Sequence, residues 1–218
     1  MNTRRALPAD GGAFFPIMSL PPALPDSTAA RRLLIVDGHA YAYRAFYAIR
    51  SLNSPSGRPT NAIYGFIKML DRMRAALEPT HAAVIWDGGL AAERMELLPE
   101  YKAQRPPMPD DLETQIEEIK EYLQAARVVS CEREGVEADD WIAAFARRAE
   151  RDGINVVIAS SDKDFMQLVT ARIGLLNPND KSGAVWSAEQ VRGKTGVDRK
   201  STRLNSSHLK LSRMPSSA

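Results

Sequence analysis

Seven carboxylates in four short segments are the residues of this 218-residue chain best suited to chemistry. Asp37 closes the apolar run LLIVD and Asp87 closes AAVIWD. Glu137, Asp139 and Asp140 fall in GVEADD, and Asp162 and Asp164 in VVIASSDKD. If the apolar runs are strands of one parallel sheet, the acids gather at its carboxyl edge, where such sheets carry their functional groups. Carboxylates crowded at short range repel by several kcal/mol unless a cation neutralises them. Oxygen-only donors suit hard divalent ions, so the pattern predicts Mg²⁺ or Mn²⁺ and phosphoryl-transfer chemistry. Each segment also has a plainer reading, since an Asp after a strand makes turns and acids in a first helical turn complement the dipole. The repetition at four matching positions is what carries the metal reading. His39 and His81 are isolated and read as turn and surface residues, and Cys131, the single cysteine, reads as a packed strand residue. Zinc is therefore disfavoured. The sequence contains neither a Walker loop nor a GxGxxG turn, so no nucleotide cofactor is expected.

The elements that must position these groups alternate between strand and helix patterns, which predicts an α/β fold with a mostly parallel sheet. Strands are expected at 32–36, 82–86, 127–131, 154–159 and 173–176. Helices are expected over 59–77, 110–124 and 138–151, from apolar residues at three- and four-residue spacing. In the last of these, Ile142, Phe145 and Ala149 are placed on one buried face. A short helical segment follows Trp186, with Ser187 as its N-cap. Glu137 and Asp140, three residues apart, can share one face at the start of the third helix while Asp139 leaves at another angle.

With 44% apolar residues the chain can bury a full core. No apolar stretch approaches the roughly 18 residues of a membrane span, and no secretory signal pattern opens it, so a cytoplasmic location with no membrane partner is expected. Residues 1–30, rich in Pro, Ala and Gly, read as a disordered extension. Residues 198–218 are polar and aperiodic, and DRKSTRLNSSH resembles a translated sequencing-library adapter. That segment is read as a non-native tail and kept out of fold reasoning. Without its five basic residues and one acid, the rest of the chain carries 24 basic and 26 acidic residues. Any nucleic-acid surface must then be a local patch.

Five ordered blocks, LLIVDGHAYAYRAFYAI, PTNAIYGFIKML, EYKAQRPPMPDDL, GVEADDWIA and SSDKDFMQLV, resemble the 5′ nuclease family. That family includes the amino-terminal 5′→3′ exonuclease domain of bacterial DNA polymerase I and the flap endonucleases. The likeness spans about residues 32–197 and implies a PIN-like (resolvase-like) three-layer α/β/α domain over 31–197. It also implies a two-metal 5′→3′ exonuclease or 5′-flap endonuclease of DNA replication and repair, acting on DNA with a 5′ end or flap and possibly joined to a polymerase. By the same resemblance Asp37, Asp87, Glu137 and Asp139, accompanied by Asp140, form a first-metal cluster, and Asp162 and Asp164 part of a second. Lys102 becomes a catalytic cation and, with Arg105, the base of an arch over the 5′ strand. Arg44, Tyr64 and Arg94 become DNA contacts, although on sequence grounds alone Tyr64 reads as packed. The family's GDxSDN-type segment and C-terminal helical DNA-binding part are not found after GKTGV, so a fragment of impaired activity is expected. WDGG also stands where FDA-type sequences are commoner. Two alternatives stay open at this level: a PIN-domain ribonuclease and a non-catalytic DNA-binding fragment.

Overall fold

The computed structural model describes residues 31–89, 107–180 and 182–195. Six strands form one sheet: β1 (Arg32–Asp37), β2 (His81–Ile85), β3 (Val129–Cys131), β4 (Asn155–Ala159), β5 (Ile173–Leu176) and β6 (Val185–Trp186). Their spatial order is β3-β2-β1-β4-β5-β6, parallel throughout except at the β5–β6 edge. The helices are α1 (Gly38–Ala48), α2 (Asn61–Leu77), α3 (Asp110–Ala125), α4 (Ala138–Arg151) and α5 (Ala188–Thr195), with a 3₁₀ segment at Lys163–Leu168. The chain builds outward from β1 through β2 to β3, then crosses back to lay β4 on the other side of β1. That reversal makes a topological switch point beside β1, and crevices form there at the carboxyl ends of strands.

The unbroken apolar character of β1 follows from its covering on both faces. Leu34 and Val36 enter a core shared with α1, α2 and α3, while Ile35 enters one shared with α4 and the 3₁₀ segment. The result is the three-layer α/β/α arrangement expected from the alternating pattern. Each fully buried aliphatic side chain of β1 contributes about 1.5–3 kcal/mol of transfer free energy, so the strand bearing Asp37 is anchored from both sides.

A buried amide pair fixes the helical layer on the first face. Asn61 Nδ2 donates to the carbonyls of Phe46 (2.8 Å) and Ile49 (3.0 Å), at the end of α1. Gln115, 1% exposed on α3, accepts from Ala62 N (2.7 Å) and Ile63 N (3.3 Å) through Oε1. Its Nε2 donates to Asn61 Oδ1 (3.1 Å) and Asp111 O (3.0 Å). The orphan N–H groups at the start of α2 are thus capped from another helix, since Thr60 at the N-cap makes no side-chain cap bond. Ser187 caps α5 as expected, and with Gln190 it forms a reciprocal capping box: Gln190 N donates to Ser187 Oγ (3.4 Å) and Ser187 N to Gln190 Oε1 (2.8 Å).

Several sequence expectations are corrected. The third strand begins at Val129 and not at 127, because Arg127 adopts a left-handed φ of 55° and closes α3 instead. Phe145 is 44% exposed and packs edge-on against Trp141, leaving Ile142, Ala146 and Ala149 as the buried face of α4. Tyr64 is half exposed and not packed. Helix α1, the 3₁₀ segment and strand β6 were not anticipated. Among the described residues no helix is long and apolar enough to cross a membrane.

Candidate active site

The strands deliver the acidic groups to one edge of the sheet. Asp37 is the last residue of β1, Asp87 lies two residues past β2, and Asp162 and Asp164 follow β4, the parallel neighbour of β1. Glu137 is the N-cap of α4, with Asp139 and Asp140 in its first turn. A helix that follows a parallel strand starts at the carboxyl edge, so this triplet shares the edge with the others. Asp37 and Glu137 are buried, at 8% and 2% exposure, whereas Asp139, Asp140 and Asp164 are exposed. Lys102, Arg94 and Arg105 lie outside the described residues.

Three ties bind the four segments together. The first runs from β1 to β4. Ser160, fully buried, donates to Asp37 Oδ2 (2.7 Å) and accepts from the backbone N–H of Asp162 (3.1 Å). Asp162 Oδ1 in turn accepts from Asp164 N (2.8 Å), which starts the 3₁₀ segment. The second runs from α1 to the β2 loop: Asp87 N donates to His39 Nδ1 (3.1 Å), and the His39 ring stands edge-on to Trp86 at 5.4 Å. The third joins the β2 and β3 loops, with Gly88 N donating to Val136 O (3.1 Å) and Gly135 N to Gly88 O (2.9 Å). Gly135 does so at φ 72°, a conformation that favours glycine. Gly38 is required for a different reason, since a Cβ there would stand 2.5 Å from the Trp86 ring.

Asp37 is the electrostatic centre of this arrangement. Burial pushes its carboxyl above the ordinary carboxylate range, hydrogen bonds from Ala40 N–H and Ser160 and the nearby His39 pull the other way, and the charge of Asp162 adds a smaller upward push. Its oxygens accept from Ala40 N (3.0 Å) and Ser160 Oγ, and among the described residues it has no Lys or Arg partner. Burial pulls the His39 imidazole below its usual value, against the smaller opposing pull of Asp87 and Asp37. His39 Nδ1 accepts the Asp87 N–H, and the residue lies in the first turn of α1 and not in a separate turn. Oxygen donors with a buried, unneutralised carboxylate at their centre fit a hard divalent cation in kind. Among the described residues, however, no three carboxylate, imidazole or thiol groups form a ready cage for one ion. Local bonds hold acids at their own loops, as Asp87 Oδ1 does by accepting from Gly89 N (3.1 Å).

Ser160 and His39 are the positioning residues that sequence reasoning missed. The signal for Ser160 was its place at the carboxyl end of an apolar run, directly ahead of SDKD. For His39 it was its place two residues after a strand-terminal Asp. Arg44 and Tyr64 line a trough between α1 and α2, and Arg44 donates to Asn179 in the loop after β5, whose carboxyl end lies at the same sheet edge as those of β1 and β4.

The fold is thus a three-layer domain with acidic residues from four segments at the carboxyl edge of a mostly parallel sheet. The chain belongs to the 5′-3′ exonuclease family, whose N-terminal resolvase-like domain matches residues 32–196. A 5′-3′ exonuclease of Aquifex aeolicus (strain VF5) is 40% identical over 169 residues, covering 77% of this chain and 57% of that protein. DNA polymerase I of Bacillus caldotenax is 41% identical over 171 residues, covering 77% of this chain and 19% of the polymerase. The chain thus spans a little over half of the first relative and about a fifth of the second. The T5 D15 protein crystallised with metal ions superposes with a TM-score of 0.61 at 21% identity, covering 77% of this chain and 62% of that one. This last likeness establishes the fold.

Proposed function

We propose that this domain is the catalytic core of a divalent-metal-dependent 5′→3′ nuclease that hydrolyses phosphodiester bonds of DNA bearing a 5′ end or 5′ flap. The observation that carries the reading is Asp37: a buried carboxylate with no Lys or Arg partner among the described residues, tied through Ser160 to the Asp162 loop, at the switch point of a 5′-3′ exonuclease family domain. Asp37, Asp87, Glu137 and Asp139, with Asp140 beside them, are the residues that would hold a first Mg²⁺ or Mn²⁺. Asp162 and Asp164 would contribute to a second. Bound divalent ions supply activation of water and neutralisation of charge on the phosphate. The chain's own part is to hold the carboxylates in register, to bind the phosphate backbone through Lys102, Arg105 and Arg94, and to keep Asp37 away from bulk water. Relatives named DNA polymerase I support a parent protein in which this domain works beside a polymerase.

The test is release of labelled product from 5′-flap DNA and from single-stranded RNA in Mg²⁺ or Mn²⁺, with wild type, Asp37→Ala and Asp139→Ala. Flap DNA should be cut in preference to RNA, and each substitution should lower turnover about 100-fold or more. Cleavage that survives both substitutions, or faster cutting of RNA than of flap DNA, refutes the proposal.

A further inference from the structure

Lys120 on α3 is not one of the residues of the acidic edge, yet two groups that adjoin the Asp87 loop converge on it. Its Nζ donates to Glu117 Oε1 (2.8 Å) on the same helix and to Glu132 Oε2 (2.6 Å) in the loop after β3. It also lies 5.6 Å from the centroid of the ring of Trp86, the residue before Asp87. Lys120, Glu132 and Trp86 meet in a groove of about 530 Å³ along β3, the outermost strand of the sheet. We infer that Lys120 is a positioning residue for Asp87: it clamps the loop after β3 and the Trp86 ring to α3, and through them sets where the Asp87 carboxylate stands at the carboxyl edge. The inference rests on the nuclease reading only for the cation that Asp87 would hold.

Two routes run from Lys120 to Asp87. The first passes through Glu132. The loop that Glu132 begins is packed on the Asp87 loop: a Cβ at Gly88 would stand 1.8 Å from the Arg133 carbonyl oxygen, so the two backbones touch. Gly88 also bonds to Val136 and Gly135 further along that loop. Drawing Glu132 toward α3 therefore holds Arg133 against the residue that follows Asp87. The second route passes through Trp86, which is buried. Its ring is stacked at 5.8 Å on Phe66 of α2 and stands edge-on to His39 of α1, and its Nε1 donates to Ser130 Oγ of β3 (2.9 Å). The Lys120 ammonium adds the attraction of a cation for the aromatic ring, and so ties the residue before Asp87 to α3 as well. An exposed ion pair contributes little, because water screens it. Lys120 differs in serving two carboxylates and a ring at once from a side chain that is 21% exposed. Burial pulls its ammonium down, but the hydrogen bonds and charges of Glu117 and Glu132 outweigh that pull, so the clamp stays charged across the neutral range. Lys120 and Glu132 also act electrostatically on His39, which accepts the Asp87 N–H, so the clamp and the His39 tie converge on one loop.

The experiment is hydrogen exchange read by mass spectrometry in chelator, followed by Mn²⁺ titration, with wild type, Lys120→Met, Lys120→Arg and Arg58→Gln. Lys120→Met keeps the apolar stem and removes the charge. It should speed exchange about 10-fold in segments 84–89 and 131–136 while α2 and β4 keep the wild-type rate, and should weaken Mn²⁺ binding by about 10-fold. Lys120→Arg keeps a cation for both carboxylates and the ring, and should keep the wild-type value of both readouts. Arg58 is paired with Glu118 of the same helix at 2.6 Å, so Arg58→Gln removes an ion pair from α3 without touching the clamp and should change neither readout. Unchanged exchange in Lys120→Met, faster exchange spread equally over the whole domain, or the same loss in Arg58→Gln overturns the inference. The exchange arm needs no cation, so the two readings fail separately. Local loosening in a chain that binds no Mn²⁺ leaves the clamp standing and counts against the cation reading of Asp87, and Mn²⁺ binding that Lys120→Met leaves at wild-type strength does the reverse.

Discussion

Replacing Ser160 by alanine tests whether one hydroxyl holds the two central carboxylate segments together. The substitution removes a fully buried group that donates to Asp37 Oδ2 at 2.7 Å and accepts from Asp162 N at 3.1 Å. A hydrogen bond to an ionised partner is worth about 1.5–3 kcal/mol, and a neutral one about 1 kcal/mol. The Asp162 N–H is partly exposed and recovers much of its bond from water, so the expected loss near neutral pH is about 2–3 kcal/mol. For a domain of this size that is a fall in Tm of roughly 4–12 °C, at 2–4 °C per kcal/mol.

The pH dependence separates this mechanism from simple loss of packing. Burial raises the Asp37 pKa above its ordinary value of 3.8, and the Ser160 hydroxyl opposes the rise. The native state therefore keeps a proton that the unfolded chain releases. Stability is greatest where both states are protonated, falls as pH rises through the window above 3.8, and levels off once the native carboxyl has ionised. Without the hydroxyl the native value moves further up and the fall is larger. The deficit of Ser160→Ala against wild type should thus be about 1 kcal/mol at about pH 4 and about 2–3 kcal/mol at about pH 7, measured by urea unfolding in chelator. Ser160→Thr keeps the hydroxyl and should keep the wild-type pH slope, even if its extra methyl costs stability in a filled site. Equal deficits at both pH values, or a Thr variant with the slope of the Ala variant, would refute the reasoning.

Two further predictions concern the framework. Gln115→Ala leaves the N–H groups of Ala62 and Ile63 and the amide oxygen of Asn61 without their partner, so it should cost about 3 kcal/mol by chemical denaturation; Gln115→Glu, which keeps the acceptor but not the donor, should cost less, and a neutral Ala variant would contradict the capping role. Gly38→Ala pushes a methyl into the Trp86 ring, which is stacked at 5.8 Å on Phe66 with nowhere to retreat, and should cost about 1–3 kcal/mol with a shift in tryptophan fluorescence; wild-type stability and spectrum would show that the corner after β1 yields freely.

What was legible in the sequence was whatever is encoded locally. The strands announce themselves as apolar runs because both faces of the sheet are covered, and α2, α3 and α4 through three- and four-residue spacing. Helix α1 escaped because Asp37-Gly38 reads as a turn. In the folded chain Asp37 is instead the N-cap, its Oδ1 accepting from Ala40 N, so one carboxylate both starts a helix and faces the crevice. Arg127 escaped for a related reason: apolar neighbours suggested strand, while a left-handed residue was needed to close α3. Phe145 was placed in the core on hydrophobicity, but the smaller Ala146 takes the position against the sheet and the ring lies beside Trp141.

The ties that set the geometry of the site span the distances at which sequence patterns fail. Ser160 meets Asp37 across 123 positions, His39 meets Asp87 across 48, and Gln115 meets Ala62 across 53. None can be read from its neighbours, because a buried serine, histidine or glutamine beside an apolar run has many possible partners. The strand order selects among them. Once β4 is known to pair in parallel with β1, with Ala159 beside Val36, the residue just past β4 must stand beside the residue ending β1, and a hydroxyl there has a carboxylate within reach. The same logic explains why the acids could be assigned to one edge from sequence but not to one ion. Edge placement follows from strand polarity alone, whereas distances between carboxylates depend on the loop after β2, the N-cap of α4 and the turn before the 3₁₀ segment. Those loops are held by backbone bonds between Gly88, Gly135 and Val136 and by the Ser160 relay, so the spacing of the acids is a property of the ties. It follows that variants of Ser160 or His39 should disturb ion affinity while every carboxylate remains in place.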